Sequence, residues 1–230
     1  MTTDADDPSP PAATPIEQYD DQGRVILSGS SIDAKFSGEA ISYGPTGQVA
    51  SRVRLKDGIA HGETRSYDAN GQLTQVAGFV AGVQDGITTF YAQSRPVCRF
   101  LYRDGVIEDN ALFFHENGLV SAMIPYRAGR REDESRYYSP EGTLIRRETH
   151  AEDRLEGPAT GYFPNGDISE QAYYRNGLLE GDLRRFFPSG KLLQHGVYRA
   201  GRLVEPLRTF NEDGRVVVED MPAKGGDTRR

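Results

Sequence analysis

The sequence has one cysteine, no tryptophan and no long apolar run. The single thiol of Cys98 excludes an intrachain disulfide and a cluster of thiolate metal ligands. No segment approaches the roughly 18 apolar residues of a membrane-spanning helix. Residues 1–15 have neither the basic nor the apolar region of a secretory signal. We therefore expect a cytoplasmic protein.

The sequence also lacks an excess of positive charge, because 34 acidic residues outnumber 27 lysines and arginines and the formal net charge is −7 at neutral pH. Nucleic-acid binding without sequence specificity requires a basic surface that displaces counterions, so this balance argues against a nucleic-acid partner. A flat anionic membrane is disfavoured for the same reason. A protein partner with a basic surface fits the charge better.

Glycine and aromatic residues are plentiful, and they recur with a fixed period. An aromatic residue stands four positions before a turn glycine, and successive aromatics lie 24 residues apart except for one gap of 23 between Tyr91 and Phe114. We call these residues the ladder aromatics. They are Tyr19, Tyr43, Tyr67, Tyr91, Phe114, Tyr138, Tyr162, Phe186 and Phe210.

The turn after each ladder aromatic has the chemistry of a β-hairpin. In Gly44-Pro45-Thr46-Gly47 the proline sets the first corner of a type I turn, and the final glycine accepts the left-handed conformation that follows. Arg95 stands where the other repeats have this glycine, so we predict a different turn there. In the second loop of the repeat, Asp109, Asp133 and Asp153 replace glycines and are predicted to adopt left-handed backbone conformations.

Between the turns, apolar and polar residues alternate with the period of a strand, and no segment has helical periodicity. The sequence therefore predicts an all-β fold, an elongated single-layer antiparallel β-meander of about nine 24-residue hairpin repeats. Residues 16–218 form the predicted array. Residues 1–15 are predicted to be a disordered tail and residues 219–230 a flexible one.

The repeat resembles the MORN-repeat variant family, which includes bacterial antitoxins of the YwqK type. The clearest copy runs from Tyr162 through Gly166 and Ile168 to Tyr174, Gly177 and Gly181, and the resemblance extends from Tyr19 to Val218. The resemblance implies a non-enzymatic scaffold of β-hairpins that binds other macromolecules, often as an antitoxin or immunity protein. The alternative that it implies is a scaffold close to membranes or lipids, as eukaryotic relatives are. It brings no catalytic residues.

The residues give no independent sign of an active site. The four histidines are scattered over different repeats, so neither a metal nor a cofactor is expected. The carboxylates of Glu132, Glu152 and Asp153 fall in predicted loops, where we interpret them as solvated. Cys98 is predicted to be a buried, inert thiol. The ladder aromatics are interpreted as a stacking ridge.

One feature departs from the repeat and indicates a candidate partner surface. The residue before the ladder aromatic is small or polar in most repeats, yet it is Phe90, Phe113 and Tyr137 in three consecutive ones. Phe100, Met123 and Ile145 are predicted to share their face, and Arg127, Arg130 and Arg131 to flank them. An apolar patch on an otherwise polar face indicates a contact surface. A foreign protein such as a cognate toxin, self-packing or a homodimer, and a misread strand register all remain open.

Overall fold

The computed structural model describes residues 12–33 and 35–221. These residues form strands and turns, and none of them belongs to a helix, so no described helix could cross a membrane. The all-β prediction is confirmed. The first strand begins at Thr14 and the last ends at Asp220, close to the predicted ends of the array, while residues 1–11 and 222–230 of the predicted tails lie outside the described residues.

Two compact units divide the chain, unit 1 ending at Val106 and unit 2 beginning at Ile107. Each is an antiparallel meander in which consecutive hairpin strands pair. The strands of unit 1 are β1 (Thr14–Tyr19), β2 (Val25–Ile32), β3 (Lys35–Phe36), β4 (Gly38–Tyr43), β5 (Val49–Lys56), β6 (Ile59–Tyr67), β7 (Leu73–Val80), β8 (Val83–Gln84), β9 (Gly86–Ala92) and β10 (Arg95–Arg103).

Unit 2 repeats the pattern, and the first residue of its first strand is the last residue of unit 1. Its strands are β11 (Val106–Phe114), β12 (Val120–Arg127), β13 (Arg130–Arg131), β14 (Asp133–Tyr138), β15 (Leu144–Ala151), β16 (Arg154–Tyr162), β17 (Ile168–Arg175), β18 (Leu178–Leu179), β19 (Gly181–Phe186), β20 (Leu192–Arg199), β21 (Arg202–Leu203), β22 (Leu207–Phe210) and β23 (Val216–Asp220).

The turn after the ladder aromatic has the predicted form. In the hairpin of β4 and β5, the N–H of Gly47 donates to the carbonyl of Gly44 at 2.9 Å, and Gly47 has a φ of 82°. Tyr43 then pairs with Val49, and the next residue, Ala50, is an extra residue in a β-bulge. Each ladder aromatic thus lies across from an aliphatic side chain in this hairpin type, so the ridge is built from aromatic–aliphatic pairs.

The turn at Arg95 differs, as predicted, and its shape accounts for the interval of 23 residues, one fewer than elsewhere, between Tyr91 and Phe114. Gln93 and Ser94 both have positive φ, 51° and 63°, and Ala92 pairs directly with Arg95. This is a two-residue turn with the geometry of type I′ in place of a three-residue loop. The shortening moves Pro96 opposite Tyr91 and places Val97 in the bulge.

The second loop of each repeat is also a two-residue turn with both residues left-handed. Asp57 and Gly58 have φ of 54° and 81°, and Lys56 pairs with Ile59 across them. The prediction for the three aspartates is confirmed, since Asp109, Asp133 and Asp153 have φ of 64°, 62° and 67°. Of these, Asp153 lies within the turn itself. Asp109 and Asp133 lie after their turns, where they are the first residues of β11 and β14 to pair with the following strand.

Acidic side chains connect successive second loops. Glu108, Glu156 and Glu180 each accept a hydrogen bond from a backbone N–H one repeat later, from Ala128 at 2.9 Å, Asn176 at 2.6 Å and Ala200 at 2.8 Å. Glu132 does the same for the N–H of Glu152, at 3.1 Å. These carboxylates satisfy donors that a tight turn leaves unpaired. The interpretation of Glu132 and Asp153 as merely solvated is wrong, because both are fixed by hydrogen bonds.

The two faces of each unit differ in character. Residues directly opposite each other on paired strands share a face, which places the buried residues except Thr89 on one face and the ladder aromatics on the other. We call these the spine face and the ladder face. The buried residues of the spine face are Ser31, Ala40, Ala77 and Thr88 in unit 1 and Ala111, Ala122, Ser135, His150, Ala159, Ala172 and Leu183 in unit 2.

Two threonines on the spine face of unit 1 give opposite predictions. Thr88 is fully buried and its hydroxyl accepts a hydrogen bond from Gln84 at 2.7 Å, whereas the buried hydroxyl of Thr64 has no partner among the described residues. We expect Thr64→Ala to raise the free energy of unfolding by about 1 kcal/mol, because it removes an unsatisfied polar group. Thr88→Ala should lower it by about 1–2 kcal/mol by leaving Gln84 unpaired. Urea unfolding of the two variants tests this, and equal effects would contradict it.

Gly157 offers a second matched comparison, in unit 2. Its φ is 101°, and a Cβ there would make only ordinary contacts with Thr149, so the backbone alone limits substitution. Gly157→Val should cost about 1–3 kcal/mol of unfolding free energy, because a β-branched residue is strained in this region. Gly157→Asp should cost less than about 1 kcal/mol, since Asp109 and Asp133 hold the equivalent position. Urea or thermal unfolding measures both variants, and a lower stability for Gly157→Asp than for Gly157→Val would contradict this prediction.

Candidate protein-binding surface

The predicted partner residues fall in both units, and each unit has its own surface. Phe90 and Phe100 lie in unit 1. The remaining candidates are in unit 2, namely Phe113, Met123, Tyr137, Ile145, Arg127, Arg130 and Arg131.

In unit 1 the two predicted phenylalanines share the spine face and touch. Phe90 pairs with Gln75 and Cys98, and Phe100 pairs with Thr88. The rings of Phe90 and Phe100 meet edge to face, with centroids 6.1 Å apart and an interplanar angle of 83°. Such aromatic pairs contribute about 0.5–1.5 kcal/mol beyond the area that the two rings bury.

Cys98 lies beside this aromatic pair, directly opposite Phe90. It is half-buried, and not fully buried as predicted. Burial raises the pKa of its thiol, so the thiolate is scarce at neutral pH. This supports the interpretation of Cys98 as an unreactive side chain.

In unit 2, Phe113 and Tyr137 are also on the spine face, and Ala122 lies between them in the same row. In other hairpins of unit 2 this row holds Gly161, Arg185 and Thr209. The aromatic pair is therefore a local feature of β11–β14, as the sequence indicated.

Met123 and Ile145 do not belong to this group, and the prediction of their facing is wrong. Met123 pairs with Leu112 and Arg136, which places it on the ladder face. Arg146, and not Ile145, lies opposite Tyr137, because Ile145 is the extra residue of the bulge. A bulge inserts one residue without a partner, so counting by twos through it assigns the following side chains to the wrong face.

Met123 instead lines a shallow apolar depression on the ladder face of unit 2. The depression has a volume of about 290 Å³ and is lined by Leu119, Val120, Met123, Tyr138 and Gly142. It is a second apolar surface of this unit, on the opposite side of the sheet from Tyr137.

The predicted arginines are ion-paired. Arg127 reaches Asp133 at 2.9 Å, Arg130 reaches Glu152 at 3.5 Å, and Arg131 reaches Asp153 at 3.3 Å. Arg127 and Arg130 pair with each other across the turn on the ladder face, while Arg131 pairs with Tyr126 on the spine face. They do not form one basic rim around the aromatic pair.

Sequence reasoning missed a polar network beside Tyr137 on the spine face. The hydroxyl of Tyr137 donates to Glu148 at 2.7 Å, and Arg146 donates to the other oxygen of Glu148 at 2.7 Å. Arg146 also lies 3.5 Å from Glu170, which accepts a hydrogen bond from Arg185 at 2.8 Å. The network thus runs from β14 through β15 and β17 to β19.

Gly161 makes part of this network possible. It lies on β16, directly between Arg146 and Glu170 in the strand register. Because Gly161 has no side chain, the two charged groups can meet above it. A Cβ there would lie 3.0 Å from the hydroxyl of Ser169 and 3.4 Å from Cβ of Glu170.

The network extends inward to two buried polar residues. Ser135 is fully buried and its hydroxyl lies 3.2 Å from Nδ1 of His150, which is 4% exposed. Nε2 of His150 lies 3.7 Å from Glu148. In the hairpin of β16 and β17 the corresponding spine-face residues are Ala159, Ala172 and Tyr174.

Burial and hydrogen bonds together set the pKa values of this cluster. Burial is the main cause for His150. It lowers the pKa of His150, with Arg131 adding to the effect and Glu148 opposing it. It would raise the pKa of Glu148, but hydrogen bonds from Arg146 and Tyr137 outweigh it and hold that pKa below its usual range. Burial, together with the bond to Glu148, raises the pKa of Tyr137. At neutral pH the cluster therefore contains a neutral histidine and an ionised glutamate.

The Ser135–His150–Glu148 contact does not form a reactive triad. A nucleophile must be open to substrate, whereas the Ser135 hydroxyl is fully enclosed. Among residues 12–33 and 35–221, no group of three or more histidine, cysteine or acidic side chains is placed to hold a metal ion. The cluster is part of the packing on the spine face.

Comparisons with curated proteins and with solved structures give no informative match. No curated protein matches the chain. Among solved structures, the Tc holotoxin pore of Photorhabdus luminescens aligns at 14% identity and a TM-score of 0.21, over 91% of this chain and 13% of that one. A TcdB2–TccC3 structure aligns at 14% identity and a TM-score of 0.20, over 91% and 14%. Both TM-scores are too low to indicate a shared fold, and nothing about this chain follows from them.

A family model gives the informative match. The model described as MORN repeat variant matches residues 60–80, 155–176 and 179–200. The first segment lies in the hairpin of β6 and β7, and the others cover β16 to β20. These three segments, together less than half of the chain, are similar to MORN repeat variants.

Proposed function

We propose that this chain is a cytoplasmic antitoxin or immunity protein that neutralises a cognate toxin by covering it with the spine face. The observation that carries the proposal is a pair of half-buried aromatics on the spine face of each unit, Phe90 with Phe100 in unit 1 and Phe113 with Tyr137 in unit 2. Phe90, Phe113 and Tyr137 stand at a position that other repeats fill with small or polar residues. Aromatic and arginine side chains supply much of the binding energy in protein interfaces.

A scaffold function also accords with the character of the surfaces. The apolar depression on unit 2 is shallow. The most buried polar residues, Thr88 and Ser135, are fully enclosed by packing. A broad sheet face offers contact area without an enclosed pocket, which suits occlusion of a partner's active surface. The matching MORN segments support the scaffold role and leave the identity of the partner open.

A growth assay tests the toxin-neutralising role. The product of the neighbouring gene is expressed alone and together with this chain, and growth of the host is measured. We expect the neighbouring product alone to stop growth and co-expression to restore it. Phe113→Ala with Tyr137→Ala should abolish the rescue, while Leu112→Ala with Met123→Ala, on the ladder face of β11 and β12, should retain it. A harmless neighbouring product, or equal loss in both pairs, would overturn the proposal.

The alternative functions give different results in solution. A lipid-proximal scaffold, the second function typical of MORN repeats, would float with vesicles that contain phosphatidylserine and would detach as salt is raised. A homodimer formed through the aromatic pair of unit 2 would show twice the monomer mass in size-exclusion chromatography with light scattering, and Tyr137→Ala would return it to the monomer. Either result in place of toxin neutralisation would replace the function proposed above.

A further inference from the structure

A row of unpaired arginines lies on the ladder face of unit 2, beside the two-residue turns. Tyr174 pairs with Leu179 and Tyr198 with Leu203 on the spine face, so the adjacent residues point to the ladder face. Exposed arginines fill this row in three successive turns. They are Arg154, Arg175, Arg199 and Arg202.

Backbone hydrogen bonds hold these turns in register. The N–H of Gly177 donates to the carbonyl of Leu155 at 2.8 Å, and that of Gly201 donates to Leu179 at 2.9 Å. Successive turns are therefore two strand spacings apart, about 9.6 Å. The backbone positions of the row are therefore fixed relative to one another.

None of these four arginines has an ion-pair partner within 4.0 Å in the described part of the chain. One turn earlier, Arg127 and Arg130 hold the same positions and are paired with Asp133 and Glu152. The carboxylates of Glu156 and Glu180 lie in the neighbouring row, but each accepts a hydrogen bond from a turn N–H. The turns hold one oxygen of each carboxylate, and neither carboxylate lies within 4.0 Å of an arginine of the row.

A groove adjoins the row at Arg175. It has a volume of about 460 Å³ and runs along β17 and β19, where the chain bulges at Glu180 and Gly181. Tyr173 lines the groove and is 43% exposed. Arg184 lines it from the other strand and is paired with Asp182 at 2.7 Å. An exposed tyrosine between two arginines is a common composition of interface centres.

We propose that this arginine row and its groove form a docking surface for an extended acidic segment of a partner protein. Charge complementarity selects the ligand, because four unpaired guanidinium groups favour carboxylates. Spacing selects its conformation, since a polyproline II segment advances about 9.3 Å for every three residues and the turns repeat about every 9.6 Å. Acidic residues at every third position would meet successive turns. This surface is on the face of unit 2 opposite Phe113 and Tyr137 and does not depend on the toxin-neutralising role.

Fluorescence anisotropy with the full chain tests the proposal. The probe is a fluorescein-labelled peptide of four Glu-Pro-Pro repeats at low ionic strength, and its neutral control is the matching Gln-Pro-Pro peptide. One variant combines Arg154→Gln, Arg175→Gln, Arg199→Gln and Arg202→Gln. The matched variant removes the same charge from paired arginines and combines Arg52→Gln, Arg65→Gln, Arg136→Gln and Arg208→Gln. Circular dichroism confirms that both variants are folded.

We expect the Glu-Pro-Pro peptide to bind and the Gln-Pro-Pro peptide not to bind. The row variant should weaken binding about tenfold or more, and the matched variant less than about threefold, because paired arginines offer little to a new carboxylate. Absence of binding, or equal weakening in the two variants, would overturn the proposal. So would tighter row-dependent binding to phosphatidylserine vesicles than to the peptide, which would assign the row to a membrane.

Discussion

Replacing the polar cluster of unit 2 with the residues of its neighbouring hairpin is expected to stabilise the unit by about 1–4 kcal/mol at neutral pH. The hairpin of β11 and β12 packs the equivalent spine-face positions with Ala111, Phe113, Ile124 and Tyr126. A buried charge network is often less favourable than apolar packing of similar volume. Arg146 keeps Glu170 as a partner in the grafted chain. The graft combines Ser135→Ala, Tyr137→Phe, Glu148→Ile and His150→Tyr.

The same graft should remove much of the loss of stability in acid. The pKa of His150 is lowered in the fold, so as pH falls below about 6.5 the unfolded chain takes up a proton that the folded chain refuses, and stability decreases until the folded pKa is reached. The pKa of Glu148 is also lowered. Its stabilising contribution is present above its unfolded pKa and is lost as pH falls through the folded one.

Urea unfolding of the wild type, the graft and the single variant His150→Tyr, at about pH 7.5 and 5.5, measures both effects. We expect His150→Tyr alone to remove the part of the pH dependence that arises between these values. A graft that is less stable than the wild type, or one whose stability falls as steeply in acid, would contradict the claim that this buried charged cluster is less favourable than apolar packing.

A single carboxylate placed on the spine face should have the largest destabilising effect. Ala159 is 3% exposed and lies opposite Ala172, which is 7% exposed. Ala159→Asp would bury a carboxylate without a partner and should lower the free energy of unfolding of unit 2 by about 3–5 kcal/mol. This is a large part of the stability of an ordinary domain.

The same chemical change at a turn provides the control. Ala200 is exposed, with a φ of 48°, and aspartate occupies the equivalent turn position at Asp57 and Asp104, with φ of 54° and 49°. We expect Ala200→Asp to change stability by less than about 0.5 kcal/mol. Circular dichroism and urea midpoints compare the two variants. Similar midpoints for both would mean that the column of small residues is not the packed centre of the sheet.

The fold could be predicted because its information is local and repeated. The glycine after each ladder aromatic specifies a turn, and the one shortened interval marks the turn at Gln93 and Ser94. The facing of side chains beyond each turn could not be obtained by alternation alone. One bulge residue per hairpin reverses the alternation of faces along the strand that follows the turn. Phe113 and Tyr137 lie before the turns and have the predicted facing, whereas Met123 and Ile145 lie after them and do not.

The electrostatic part of the surface was predicted less well, because pairing depends on neighbours a full repeat apart. Arg131 and Asp153 belong to different repeats, and their contact follows from the strand register and not from sequence proximity. The buried cluster did leave a signal. Alignment of the repeats places Ser135, Glu148 and His150 at positions that β16 and β17 fill with Ala159, Ala172 and Tyr174. Comparison of repeat columns, more than a search for motifs, identifies such departures.

Binding through the spine face is tested most directly by photo-crosslinking from two adjacent positions. Phe113 lies on the spine face and Leu112 on the ladder face of β11. Each is replaced in turn by benzoylphenylalanine, and the purified chain is irradiated with the neighbouring gene's product. The proposed function predicts a crosslink to that protein from position 113 and none from position 112. A complex that forms but crosslinks only from position 112 would contradict it.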